Sequence, residues 1–164
     1  MRLRVFDVGR DCTGSVLVET AFVLPMLLFL LMGVIQFGIF YFQFTALTDA
    51  TAAGARQFSL SRTDITAYAD TVAAINGSSS NLSSSALTIN LCVGTSCGCT
   101  DSTGPTCQQL LQTAYNTTGP GSTSVTPETA TVTLQYQCTP LIPTSWIDVS
   151  GICPLTASLN VSVQ

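Results

Sequence analysis

Two groups of residues in this 164-residue chain have types and spacing that could carry chemistry. The first is Gly14-Ser15-Val16-Leu17-Val18-Glu19, a glycine followed at the fifth position by a carboxylate, at the mouth of a long apolar run. A cut after Gly14 would leave a new ammonium on Ser15. That ammonium could pair with Glu19 one turn along, or with the same carboxylate on a neighbouring helix. Either pairing relieves the cost of an ionised group near lipid, about 2.5–3.5 kcal/mol at a helix centre and less at its end. An unpaired charge would also penalise misaligned packing, so the pair doubles as a registry device. The same position suits a carboxylate that snorkels from a helix end into water.

The second group is the cysteines. Cys12 precedes the apolar run; Cys92, Cys97, Cys99, Cys107, Cys138 and Cys153 follow it. Six is even, so an oxidising compartment would allow three disulfides with no thiol left over. The alternative is six buried thiols in a reducing compartment. Cys97-Gly98-Cys99 lacks the two-residue spacing of a zinc or dithiol motif, and the chain has no His to complete a zinc site. No metal is therefore expected. Cys97 and Cys99 are too close to bridge each other easily. If Cys138 pairs with Cys153, the other four join as 92–97 with 99–107 or as 92–99 with 97–107. Cys92 could equally face Cys138 across strands.

No enzyme constellation emerges. Without His, the usual base for a Ser or Cys nucleophile is missing. The acids beyond the helix (Asp49, Asp64, Asp70, Asp101, Glu128 and Asp148) are scattered, and Gly119-Pro120-Gly121 is turn chemistry. Net charge is −4, Lys is absent, and no Arg follows Arg62, so the distal part offers nothing to displace counterions from phosphates. Nucleic-acid binding is rejected, and neither catalysis nor a cofactor is expected.

These residues need elements to hold them. From Thr20 to Thr48 no residue is charged, a span of 29 that as a helix would extend about 43 Å against roughly 30 Å of hydrocarbon. The expected organisation is a leader at 1–14, a transmembrane helix at 15–44 kinked locally by Pro25, a helical stalk at 45–62, and an extracytoplasmic α+β domain at 63–164 with a Cys-rich loop at 92–107. Arg2, Arg4 and Arg10 before the span, against Arg56 and Arg62 after it, favour an internal N-terminus. Ile65, Tyr68, Ala69, Val72 and Ile75 share one face of an amphipathic helix, with Thr63 as N-cap and Gly77 as its left-handed end. A serine-rich linker spans 78–85. Period-two alternation marks three strands, through Leu87–Val93, Val132–Cys138 and Leu155–Val163. Their apolar face is expected to lie under the amphipathic helix and the end of the stalk, with a short helical turn at 108–115. Tyr136 and Trp146 are expected in the core.

Gly14, four residues, Glu19 and a long apolar helix together resemble the class III leader of type IV pilins and pseudopilins. More narrowly, three blocks resemble the TadE-like family of the Flp (tight adherence) pilus system. The first is GSVLVETAFVLPMLLFLLMGVIQFG, with Glu19, Leu24-Pro25, Gly33 and Gly38. The second is LTDATAAGARQF, ending in Gly54-Ala55-Arg56 and the following pair. The third is the closing stretch from Val132, with Pro140-Leu141-Ile142-Pro143 and the final strand. The resemblance implies a non-catalytic minor pilin or pseudopilin that takes part in assembling Flp/Tad pili for surface attachment. Gly14 and Ser15 would be its processing site, and Glu19 and Pro25 would serve helix packing and charge registry. Its implied partners are the inner membrane, a prepilin peptidase, other pilins or pseudopilins and Tad assembly proteins. It implies a single pass through the bacterial cytoplasmic membrane, a periplasmic or extracellular C-terminal domain, and a place in or beside the pilus. Two rivals are an uncut anchored surface-binding domain and a secreted soluble domain. Release by signal peptidase is disfavoured, because the apolar core exceeds the roughly 7–15 residues of a cleaved signal.

Overall fold

In the computed structural model of the chain, residues 13–102, 105–118, 129–138, 151 and 153–163 are described, with backbone alone at 13–16 and 118. The first element, α1 (Thr13–Leu60), runs 48 residues and passes through Pro25 without ending. Proline removes the N–H that would reach the carbonyl four residues back, a loss that a long apolar helix tolerates when neighbours re-satisfy that group. The chain divides into two compact units, Met1–Gly38 and Ile39–Gln164.

The described part of the first unit is helix alone. Every described side chain from Leu17 to Ile35 is exposed, among them Phe22 at 78% and Met26 at 74%.

The second unit holds the rest of α1, a single 3-10 turn at Ser61–Thr63, α2 (Ala67–Ser78), a second 3-10 turn at Ser84–Ala86, β1 (Leu87–Val93), β2 (Ser96–Cys97), α3 (Cys107–Thr118), β3 (Thr129–Tyr136) and β4 (Leu155–Ser162). The sheet is antiparallel throughout, in the order β2-β1-β3-β4. It therefore has four strands, not the expected three. The extra one is two residues long, too short to show alternation, and is turned between Gly94 (φ 58°) and Gly98 (φ 77°). Both glycines occupy the left-handed region that side chains disfavour.

Register sets the core in rows. Leu91, Val132 and Leu159 align across β1, β3 and β4, as do Ile89, Leu134 and Ala157. The central strand β3 buries Ala130, Val132, Leu134 and Tyr136, whereas Leu159 on the edge strand stays 39% exposed. Against this face lie Leu47, Ala50, Ala55 and Phe58 of α1, Ala67 and Ile75 of α2, and Leu111 and Ala114 of α3. Burying a Leu, Ile or Phe side chain is worth about 1.5–3 kcal/mol each, so these few anchors dominate the head's stability.

Several expectations are corrected. Three helical segments cover the sheet rather than two, because 107–118 forms three turns of helix where a single short turn at 108–115 was expected. The buried stripe of α2 is Ala67, Thr71 and Ile75, and Ile65 is 75% exposed. Small residues let α2 approach closely, and the Thr71 hydroxyl donates to the Ala67 carbonyl at 2.7 Å, which makes its burial cheap. Thr63 belongs to the 3-10 turn and does not cap α2; Gly77 lies inside α2, which ends at Ser78 with Ser79 as its C-cap. Cys138 lies beyond the end of β3. Within the serine-rich stretch Ser79 and Leu82 are buried, so it packs as part of the head. The expected leader, Cys12, Trp146 and the Pro140–Pro143 turn lie outside the described residues.

Candidate functional site

Two regions are built from residues that the sequence singled out. The first is the start of α1. Gly14 and Ser15 lie in the helix at the first described residues, and Glu19 follows about one turn on, exposed. Glu19 is the one charged residue of the helix before Asp49. Downstream, Pro25, Leu28, Phe29 and Met32 line a shallow apolar depression on the helix surface. Proline lacks an amide hydrogen, so the backbone here has one donor fewer while the side-chain surface is wholly greasy. Gly33 and Gly38 have open space where a Cβ would stand. The helix is long and apolar enough to cross a membrane, and leaving such a surface in water costs about 25 cal/mol per Å².

The second region is the run Gly54-Ala55-Arg56 in the distal part of α1. Gly54 is buried where α1 meets α2 and β3. A Cβ added there would stand 2.5 Å from Cγ1 and 2.8 Å from Cδ1 of Ile75, and 3.7 Å from Val132. Glycine is thus required by the approach of the elements, not by backbone conformation. Ala55 is fully buried and Arg56 is exposed. One turn earlier Thr51 is buried with its hydroxyl donating to the Leu47 carbonyl at 2.7 Å, the same device that Thr71 uses in α2.

The cysteines close three bridges. Cys92–Cys97 joins directly paired residues of β1 and β2. Cys99–Cys107 ties the loop after β2 to the first residue of α3. Cys138–Cys153 spans a separation of 15 between the end of β3 and the start of β4. Among the alternatives that spacing left open, this is the set 92–97 with 99–107. Among the described residues no group of three His, Cys, Asp or Glu side chains converges.

Three contacts were invisible in the sequence. Both carboxylate oxygens of Asp101 accept backbone N–H groups at the start of α2, from Tyr68 at 2.8 Å and Ala69 at 2.9 Å. The Arg62 guanidinium lies 3.7 Å from the centroid of the Tyr115 ring, and Gln108 Nε2 donates to the Thr63 carbonyl at 3.2 Å. The last two pin α3 to the turn after α1, and the first ties the loop before α3 to the start of α2. Partners 32 to 53 positions apart leave no local pattern, although Asp two residues after a paired cysteine is a signal that could have been weighed.

Residues 14–56 match the family described as TadE-like protein. The chain carries a TadE-like helix. The TadE-like segment holds Gly14, Ser15, Glu19, Pro25 and the Gly54-Ala55-Arg56 junction. The sheet and the disulfides lie beyond that match. No curated protein and no solved structure matches the chain.

Proposed function

We propose that the chain is a non-catalytic minor pilin or pseudopilin of a Flp/Tad pilus, taking part in its assembly. One observation carries the reading. The Gly14–Glu19 pair opens a helix whose described side chains are exposed from Leu17 through Ile35, inside the TadE-like segment. A helix for anchoring alone needs the apolar surface but has no use for a carboxylate near its mouth. A helix for assembly uses it, because a charge near lipid favours the packing register that pairs it.

In this reading the apolar part of α1 crosses the cytoplasmic membrane. Exposed Phe37, Tyr41 and Phe42, near the distal end of the apolar run, suit the headgroup level where aromatic rings concentrate. A prepilin peptidase cuts after Gly14, and the Ser15 ammonium then pairs with Glu19 of its own or a neighbouring helix. The disulfide-bonded head stands on the oxidising side, periplasmic or extracellular, where three bridges persist. The partners are other pilins or pseudopilins and the Tad assembly proteins.

A second reading, an uncut anchored domain, is favoured by the Gly14–Ser15 bond lying within the helix α1. The N-terminus of the membrane-recovered chain separates the readings: Ser15 supports processing, Met1 supports the uncut anchor, and a start near residue 53 or 56 supports a secreted domain.

A further inference from the structure

We propose that the face of the sheet turned away from the helices is a docking surface for a neutral polysaccharide. Helices α1, α2 and α3 pack their buried side chains with Leu91, Val132 and Leu134. Alternation along each strand sends the residues between those to the opposite face. Strand register sets them in rows. Asn90, Thr133 and Ser158 align across β1, β3 and β4, as do Thr88, Gln135 and Thr156. Five of these six are exposed, and Thr133 at the centre is half-buried. Thr131 and Asn160 extend the pattern as a directly opposed pair, with the Thr131 hydroxyl donating to Asn160 Oδ1 at 2.7 Å.

The chemistry of the face selects its occupant. No charged residue stands in any of the four strands. The strands therefore offer no cation to a phosphate, sulfate or carboxylate, and no carboxylate to a cationic ligand. The two rows also hold no aromatic ring and no Arg, the side chains that most often anchor a protein partner. They hold hydroxyls and amides, each of which both donates and accepts hydrogen bonds. The ligand that answers such a set is one covered in hydroxyls and without charge, which is a neutral glycan chain.

The sheet also fixes where these groups stand. Strands lie about 4.8 Å apart, and same-face residues about 6.8 Å apart along each, so donors and acceptors repeat in two directions. Thr88, Thr131, Thr133 and Thr156 fill half of the eight positions, and a β-branched side chain has few rotamers to lose on binding. An open array suits an extended polymer, whereas a small molecule is held in a cleft. Water competes for every one of these bonds, so binding rests on many made at once. The inference concerns the head alone and does not depend on processing at Gly14.

Co-sedimentation of the full chain in detergent micelles with microcrystalline cellulose, chitin and cross-linked dextran tests it. The samples are the parent, Asn90→Ala/Thr133→Ala/Ser158→Ala, Thr88→Ala/Gln135→Ala/Thr156→Ala, and a control, Ser80→Ala/Ser83→Ala/Ser84→Ala, in an exposed serine cluster off the sheet. The parent is expected to sediment with at least one glycan, as strongly at ~1 M salt as at low salt, since no charge takes part. Each row variant should bind about ten-fold or more weakly through the loss of three hydrogen bonds, and the control should bind like the parent. A parent that sediments with none of the three glycans would overturn the proposal. So would binding that salt abolishes, that either folded row variant retains, or that the serine control loses equally. Light scattering addresses the other occupant: a parent dimer that the row variants dissociate would give the face to a second copy and overturn the proposal. The rows are changed separately, so if one variant loses its thermal unfolding transition the other still reports.

Discussion

Gly54 has no room for a methyl group, because Ile75 occupies the space. Ile75 is fully buried, so it cannot swing away without disturbing the core. Gly54→Ala should lower the stability of the head by about 1–3 kcal/mol, read as a drop in the thermal midpoint, and Gly54→Ala/Ile75→Ala should lose less than the sum of the single changes. Additive losses would show that the two do not share the space. A milder effect belongs to Asp64. The Thr66 backbone N–H, then the Thr66 hydroxyl, then a bond shared with Asp70 hold its carboxyl below the ordinary value of 3.8. A folded value below the unfolded one means the contribution is present above about that pH and fades as pH falls through the folded value. Local order at 64–66, followed by amide chemical shifts, should therefore persist to about pH 4 and be lost in stronger acid, and Asp64→Asn should abolish that transition. Glu19 and Gly54 stood out in the sequence by type and position. Asp101 did not, because its partners are brought to it only by the folded chain.

At the scale of elements, alternation located all three long strands, since each has one face on the core and one in water. Strand β2 escaped because two residues have no period, and the length of α3 escaped because Gly and Pro around it read as loop. The instructive case is α2. Its apolar residues at 65, 68, 72 and 75 form a convincing stripe, yet the structure buries 67, 71 and 75. Periodicity identifies a helix, but which stripe docks depends on how near the neighbour comes, and here small Ala67 and Thr71 permit the closer approach. Two substitutions separate the two faces. Ile65→Ser should change stability by no more than about 0.5 kcal/mol, while Ile75→Ala should cost about 2–5 kcal/mol in denaturant melts. A large cost at Ile65 would restore the stripe read from periodicity.

At the scale of the whole molecule, the even cysteine count beyond the apolar run and the absence of charge within it were both plain in the sequence, and together they gave a long apolar helix and a disulfide-bonded head. How the cysteines pair was not legible, because spacing alone satisfied more than one set. The widest bridge constrains the segment between β3 and β4. Cys138→Ser/Cys153→Ser should therefore cost about 3 kcal/mol by loop entropy, visible as a lower thermal midpoint under oxidising conditions with the other two bridges intact. For assembly, Glu19→Gln should leave the chain in the membrane fraction but reduce its co-purification with other pilus components several-fold. Undiminished co-purification would remove the registry role from that carboxylate. The most direct test of the central claim is the intact mass and N-terminal sequence of the chain purified from membranes of cells with an active prepilin peptidase. A chain beginning at Ser15 is the predicted result, and one still beginning at Met1 contradicts the account.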